Sequence, residues 1–306
     1  MIARKYVYLI ALAREQHFGR AAASCHISPS TLSAALRDLE AELGVTVVER
    51  GQRFAGLTQE GRCVVEYAQR MAADASGLKQ RLAQLREGLS GRLRLGVIPT
   101  ALTAVASLTA AFSRRHPLVT AEVLSLATQE ILARLRNFEL DAGIVYIDSG
   151  GAEDLTTTPI WRENHVLITG AGSIFAGRGS LSWKEAGRTP LCLLTSDMQN
   201  RKTIDRVFAN IGCRPEPTLE TNSIVSVLAH VCTGSWSSIV PKSVLDLIGT
   251  PRDIRVLELV EPEVAWSTGL VTLVREPRPP MVEALVKEAL TLNDAFGKDE
   301  WACAIS

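Results

Sequence analysis

From Val64 to Leu89 the apolar residues Val64, Ala68, Met71, Ala75, Leu78, Leu82, Leu85 and Leu89 fall at alternating spacings of four and three. An average period of 3.5 over eight positions is a coiled-coil seam, which needs a second helix to cover it. The intervening positions are mostly Gln, Arg, Lys, Asp, Glu and Ala. The stripe is therefore narrower than that of a helix lying on its own domain. Thr58 is placed to cap this helix, and Gly88 with Ser90-Gly91 to end it. Ahead of the seam the helical pattern is shorter. Arg20–Ala23 is a run of small residues that lets another helix come close, Cys25-His26-Ile27 reads as a turn, and Ser28-Pro29 opens a further helix. A serine N-cap accepts an unpaired backbone N–H, and proline suits a first helical position where no N–H is needed. Two helices joined this way form a helix-turn-helix, whose second helix has its N-terminal end free to enter a major groove.

From Arg92 onward strand and helix periods alternate. Arg92–Ile98 (RLRLGVI) reads as a strand, followed by a helix from Thr100 to Arg115 that stops before Pro117. Val119–Leu126 is a second strand, a helix with Ile131, Leu132 and Leu135 on one face begins at Thr128, and Asp141–Tyr146 is a third strand. This order predicts a parallel sheet. A second half is expected from strand His165–Thr169. It runs through Leu191–Leu194, a helix near Asn200–Ile211, a helix capped by Asn222 and reaching Val231, strand Ser237–Pro241 and a short helix Ser243–Leu247. Strand Gly269–Val274 and helix Pro280–Leu292 are expected to return to the first half, so that two crossings make a hinge.

Ala21-Ala22 with Ile27-Ser28 and Ser33, Leu39-Glu40-x-Glu42-Leu43-Gly44, Val47-Val48-Glu49-Arg50, Arg53, and Leu57-Thr58-x-x-Gly61 follow one another without a gap. This run resembles the LysR-type transcriptional regulators. The resemblance implies an α/β protein with an all-α N-terminal domain. Its parts would be a winged helix-turn-helix over 1–58, a linker and dimerisation helix over 59–89, and a two-lobed, periplasmic-binding-protein-like effector domain over 90–306. Lobe I is expected at about 90–164 and 268–306, and lobe II at about 165–267. The partners implied are double-stranded DNA, further copies of the chain in a dimer or tetramer, RNA polymerase and a small-molecule effector, with no cofactor and no membrane. The DNA-contacting residues implied are Arg20, His26, Ser28, Pro29, Ser30, Thr31, Ser33 and Arg37, with Arg50 and Arg53 in the wing. The family usually has Gln where this chain has Pro29 and a longer polar residue where it has Ala34. Base readout is thus expected to lean on Ser30, Thr31, Ser33 and Arg37, and the wing arginines on phosphate.

Composition changes this picture little. The chain has 33 basic and 33 acidic residues, and residues 1–90 hold 12 Lys/Arg against 9 Asp/Glu. That is a weak electrostatic footprint for a DNA binder, and it fits a protein that presents several copies of one reading head. The six cysteines show no C-x-x-C spacing, so neither a zinc site nor a disulfide framework is expected. Scattered cysteines suit a reducing compartment. With no export pattern and no apolar run of membrane-spanning length, a cytoplasmic protein is expected.

Enzyme signatures fail on inspection. Gly170-Ala171-Gly172 lacks the third glycine of a dinucleotide turn, since Phe175 stands there. The segment Thr233–Ser237 does not complete a nucleophile elbow. His17, His26, His116, His165 and His230 have no metal-ligand spacing. The competing class is a cytoplasmic solute-binding or Rossmann-like domain with no DNA role. Ligands of open α/β sheets sit beyond strand ends against helix N-termini. Thr100 and Ala101, Thr128 and Gln129, Tyr146, and Ser196, Met198 and Gln199 across the cleft are the candidate effector contacts; as an alternative, Thr100 and Thr128 serve only as helix caps. Family members that bind aromatic carboxylates often have an arginine near Tyr146, so a small anion held by N–H and hydroxyl groups is expected here. LGVIPTALTAV and CHISPSTLSAAL are similar to LysR-type members linked to formate dehydrogenase genes, which brings formate into consideration.

Overall fold

The computed structural model describes residues 3–49, 54–147, 153–175 and 177–296. It divides into two compact units, Met1–Leu89 and Ser90–Ser306.

The first unit is built from α1 (Arg4–Glu15), α2 (Phe18–Ser24), α3 (Pro29–Leu43) and α4 (Gln59–Glu87). Its core gathers Leu9 and Leu12, Ala21 and Ala22, Leu32, Leu36 and Leu39, Val47, Val48 and Val65. Ala21 and Ala22 are fully enclosed, as a close helix crossing requires. Between α2 and α3 the Ile27 N–H bonds to the Ala22 carbonyl and the His26 N–H to the Ala23 carbonyl. His26 takes a left-handed φ of 56°. This is a Schellman ending with histidine where glycine is usual.

After α3 the chain is tied down by Glu40, whose Oε1 accepts the Val47 and Val48 N–H groups at 2.9 and 3.2 Å. Val48 and Leu57 form an antiparallel bridge, and Glu49 N–H bonds to the Gly56 carbonyl, giving the two sides of a wing. Arg50 and Arg53, expected in the wing, lie outside the described residues. Thr58 caps α4 by accepting the Gly61 N–H at 2.8 Å and itself donates to the Thr46 carbonyl at 2.6 Å. A Cβ at Gly61 would stand 2.0 Å from the Val47 carbonyl oxygen, so only glycine fits.

The heptad seam divides in use. Of its positions, Ala68 is buried and Val64 packs on the head core beside the off-seam Val65, whereas Met71, Leu78, Leu82 and Leu85 stay 42–77% exposed. The helix ends at Glu87 with Gly88 at φ 93°, so Leu89, expected as the last seam position, lies beyond it.

The second unit runs β1 (Gly91–Val97), a 3-10 turn (Pro99–Ala101), α5 (Val105–Arg115), β2 (Val119–Ser125), α6 (Thr128–Arg136) and β3 (Ala142–Tyr146). β1 pairs in parallel with β2 and β3. The helix expected from Thr100 is broken into the 3-10 turn and α5. Next come β4 (Leu155–Gly170), β5 (Ser180–Ser182), α7 (Trp183–Ala186), β6 (Cys192–Leu194), α8 (Gln199–Asn210), β7 (Leu219–Thr221) and α9 (Ile224–Cys232). β8 (Ser237–Pro241), α10 (Lys242–Ile248), β9 (Ile254–Val260), β10 (Ala265–Leu273) and α11 (Pro280–Phe296) complete it.

The sheet is mixed rather than parallel, because the returning chain re-enters from the opposite end. β10 lies antiparallel between β3 and β4, and β8 and β9 flank β4 antiparallel further along. β4 is one 16-residue strand shared by the two lobes. Its Leu155–Asn164 portion pairs with β10, and His165–Gly170 pairs with β8 and β9. Both faces of its second half are covered: Leu167 enters one core with Trp183 and Phe208, while Val166 and Ile168 enter another with Val227 and Val231. The N-cap of α9 is Ser223, which accepts the Ser226 N–H, instead of Asn222.

Candidate functional site

On the reading head, α3 buries Leu32, Leu36 and Leu39. The opposite face therefore presents Pro29, Ser30, Thr31, Ala34 and Arg37 to solvent, with Ser33 half-buried at its margin. Ser28 Oγ caps the helix by accepting the Thr31 N–H at 3.1 Å, and it also meets Ser30 Oγ at 2.7 Å and Thr31 Oγ1 at 2.8 Å. Three hydroxyls thus cluster at the helix tip, where the first N–H groups point outward. Arg20 is exposed but donates to the Glu15 carbonyl at 2.6 Å, which holds its guanidinium beside α1. His26 is exposed in the turn. His17, absent from the expected set, caps α2 by accepting the Gly19 and Arg20 N–H groups at 3.0 and 3.3 Å. Histidine is an unusual cap, which is why the pattern hides it.

In the second unit a small pocket lies between the lobes. Ile98, Pro99, Thr100, Ala127 and Thr128 line it from one side, and Leu194, Met198, Gln199 and Asn200 from the other. Its space reaches about 210 Å³ only when open solvent at the mouth is counted, and the enclosed part is water-sized. Of the expected effector contacts, Thr100, Thr128, Met198 and Gln199 meet here. Ala101 is buried, Gln129 and Ser196 are exposed, and Tyr146 lies behind the wall. Ile98, Pro99, Ala127, Leu194 and Asn200 line it from outside the expected set, and of these Asn200 is the one with a polar side chain.

Two helices begin at this pocket. α6 is drawn against the sheet by Gly96 and Gly143: a Cβ on either would stand 2.6 or 2.4 Å from Leu140 or Ile131. α8 is held by Arg201, which pairs with Asp205 at 2.9 Å and with Glu220, and donates to the Leu194 carbonyl at 3.0 Å. Neither helix has a side-chain cap, since Ala127 and Met198 occupy the N-cap positions. The first N–H groups of both are left for a ligand, and the helix dipoles favour an anion. Thr128 Oγ1 is buried without a hydrogen-bond partner. A buried hydroxyl in that state is costly unless something supplies its partner.

Behind the wall runs a buried polar network. The Tyr146 hydroxyl meets Thr100 Oγ1 at 3.3 Å and Glu163 Oε2 at 3.2 Å, and accepts from Asn200 Nδ2 at 3.5 Å. Glu163 also accepts from Trp161 Nε1 at 2.8 Å and Ser243 Oγ at 3.2 Å. Asn200 Nδ2 reaches His165 Nε2 at 2.8 Å. Burial raises the Glu163 carboxyl to about 7, although its three donors pull the other way. Burial also lowers His165 to about 3 and pushes the Tyr146 phenol well above its ordinary value. By linkage, the neutral Glu163 stabilises the fold at low pH and this contribution is lost as pH rises through about 7. The His165 contribution is present above the ordinary histidine range and is lost as pH falls toward about 3.

Among the described residues no cysteine lines the pocket, and no group of His, Cys, Asp and Glu could hold a metal ion. No described helix is long and apolar enough to cross a membrane.

A family model described as a bacterial regulatory helix-turn-helix protein of the lysR family matches residues 3–62, and one described as the LysR substrate binding domain matches residues 86–293. The probable hydrogen peroxide-inducible genes activator of Mycobacterium xenopi is 36% identical over 169 residues, 55% of this chain and 89% of that protein. The DNA-binding transcriptional dual regulator OxyR of Escherichia coli (strain K12) is 27% identical over 269 residues, 88% of each. A full-length OxyR variant from Pseudomonas aeruginosa superposes with a TM-score of 0.74 at 27% identity, covering 93% of this chain and 96% of that one. CbnR, solved with its target DNA, shares the fold at a TM-score of 0.67 and 22% identity, over 95% of this chain and 100% of that one. These relatives are regulators and not enzymes. The chain belongs to the LysR family of DNA-binding transcriptional regulators.

Proposed function

We propose that this regulator responds to a small anion, of the size of formate, acetate or oxalate, held between the lobes by the first turns of α6 and α8. The observation that carries this reading is the pair of uncapped helix starts facing one pocket, beside the unpartnered Thr128 hydroxyl. Thr100, Gln199 and Asn200 complete the polar wall, and Leu194 and Met198 limit its size. Relatives are named as hydrogen peroxide-inducible activators. A thiolate is the usual first reader of a peroxide, and among the described residues no cysteine lines this pocket. A reversible anion is therefore the signal favoured here.

The working unit is a dimer in which the exposed Met71, Leu78, Leu82 and Leu85 of two α4 helices cover one another. Residues 1–58 read DNA, 59–89 pair the copies, and 90–306 sense the ligand. In the reading head Ser30, Thr31, Ser33 and Arg37 meet base edges; Arg20, His26, Ser28, Pro29 and the wing residues Arg50 and Arg53 meet or border phosphate. Further pairing of effector domains would give a tetramer, and a ligand-biased lobe angle would change the DNA bend met by RNA polymerase. Titration calorimetry with formate, acetate and oxalate tests the ligand class: heat from at least one, lost in Thr128→Val, is expected. No heat from any of the three, with operator binding altered by peroxide, would reject it. Leu82→Glu should weaken dimerisation by roughly 2–5 kcal/mol, read as a lower dimer content by sedimentation.

A further inference from the structure

Glu163 stands where β4 passes from one lobe to the other, and its hydrogen-bond partners are neutral. Trp161, Tyr146 and Ser243 are its hydrogen-bond donors. Of the titratable groups nearby, Tyr146 comes from β3 and His165 from β4 itself. β10, paired alongside, carries no charged residue. On α10, Lys242 is engaged by Glu258 and Asp246 is exposed. On α8, Arg201 is engaged by Asp205 and Glu220. On α11, which packs on β4, Glu288 is engaged by Arg115, and Glu283, Lys287 and Asp294 are its other charged residues. Thr100, Tyr146, Glu163 and Asn200 are each no more than 5% exposed.

The four groups form a chain that ends at the pocket, and its hydrogen bonds can run in either direction. With Glu163 ionised, the Tyr146 O–H donates to Oε2, Thr100 O–H donates to the Tyr146 oxygen, and Thr100 offers the pocket only lone pairs. With Glu163 protonated, its O–H donates to the Tyr146 oxygen, the Tyr146 O–H turns to Thr100 Oγ1, and the Thr100 hydrogen is released into the pocket. Asn200 donates to the Tyr146 oxygen in both states, so the ionised arrangement is satisfied within the chain and the protonated one leaves only the Thr100 hydrogen for a ligand.

We propose that Glu163 is a proton-linked positioning residue for the inter-lobe pocket: an anion binds there together with one proton from solvent, which is taken up by the Glu163 carboxylate. The chain then reads a small anion jointly with acidity. This rests on the anion reading above. Burial already holds Glu163 near neutrality, where such a link is sensitive.

The test is calorimetry of the full chain with sodium acetate and sodium oxalate at pH 6 and pH 8, in two buffers of different ionisation heat. Both probes remain ionised throughout, so any pH dependence belongs to the protein. Wild type should bind about tenfold more weakly at pH 8, with a buffer-dependent heat that reports proton uptake. Glu163→Gln should bind equally at both pH values and lose the buffer dependence. Tyr146→Phe, which leaves the carboxyl in place but cuts the chain, should shrink the pH effect. Equal wild-type affinity at both pH values, without proton uptake, overturns the proposal and leaves the anion reading standing. Absence of binding by either probe at both pH values overturns both.

Discussion

Three of the four helices in the first unit begin differently from the two helices at the inter-lobe pocket; the fourth, α1, follows Ala3 without a side-chain cap. α2, α3 and α4 are closed by His17, Ser28 and Thr58, each accepting backbone N–H groups within its own first turn. α6 and α8 start after Ala127 and Met198 and have no such closure. In the head, local hydrogen bonds are used to hold a rigid shape that must meet DNA. At the pocket the same groups are withheld from the fold, which makes them available to a ligand and leaves the unbound state less stable than it could be.

Substitutions at these helix starts can break or sharpen that contrast. The largest effect is expected at Gly61→Ala, where the new methyl would collide with the Val47 carbonyl. A loss of about 3 kcal/mol in head stability is expected, and thermal unfolding monitored by circular dichroism measures it. Ser28→Ala removes a cap and should cost about 1 kcal/mol in the same experiment while weakening operator binding in a gel shift. Ala127→Asp should act in the opposite sense. Its carboxylate can cap α6 and satisfy the dipole, stabilising the second unit by roughly 0.5–1 kcal/mol while abolishing the acetate heat in calorimetry. If Ala127→Asp destabilises and still binds acetate, the open start of α6 is no anion site. The smallest change is His26→Gly, which relieves a left-handed residue in the turn and should stabilise the head by about 0.5 kcal/mol, seen as a slightly higher melting point. DNA affinity should fall in the same variant if His26 touches phosphate.

The head was legible in the sequence because its determinants are short-range. Ser28-Pro29, Leu57-Thr58 and Gly61 each specify a cap or a close approach within a few positions. The candidate pocket was legible by halves: Thr100 and Thr128 follow strands, as ligand turns do, and Met198 and Gln199 open a helix. Glu163 was not legible, and the reason is physical. The stretch Leu155–Glu163 contains three threonines, Pro159, Arg162 and Glu163 and shows no clean apolar alternation, so it does not look like half of a long strand. It becomes one because β10 pairs alongside it, with an irregularity at Thr268/Gly269. The partners of Glu163 at Tyr146 and Ser243 are 17 and 80 residues away. No local pattern announces such contacts. The parallel sheet failed for the same reason, since strand direction after the first lobe depends on where the chain re-enters.

The single strand β4 also restricts how this protein can change over time. Side chains along a strand alternate faces with a period of two. Trp161, Glu163 and His165 share one face, so the order of the two lobes along β4 is fixed like teeth on a common rack. Loops in either lobe can lengthen or shorten freely. One residue gained or lost between Glu163 and His165 would turn every later side chain of β4 to the wrong side, exchanging Leu167 with Val166 and Ile168 between their two cores. Descendants of this chain should therefore differ in loop length almost anywhere before they differ in the length of this strand.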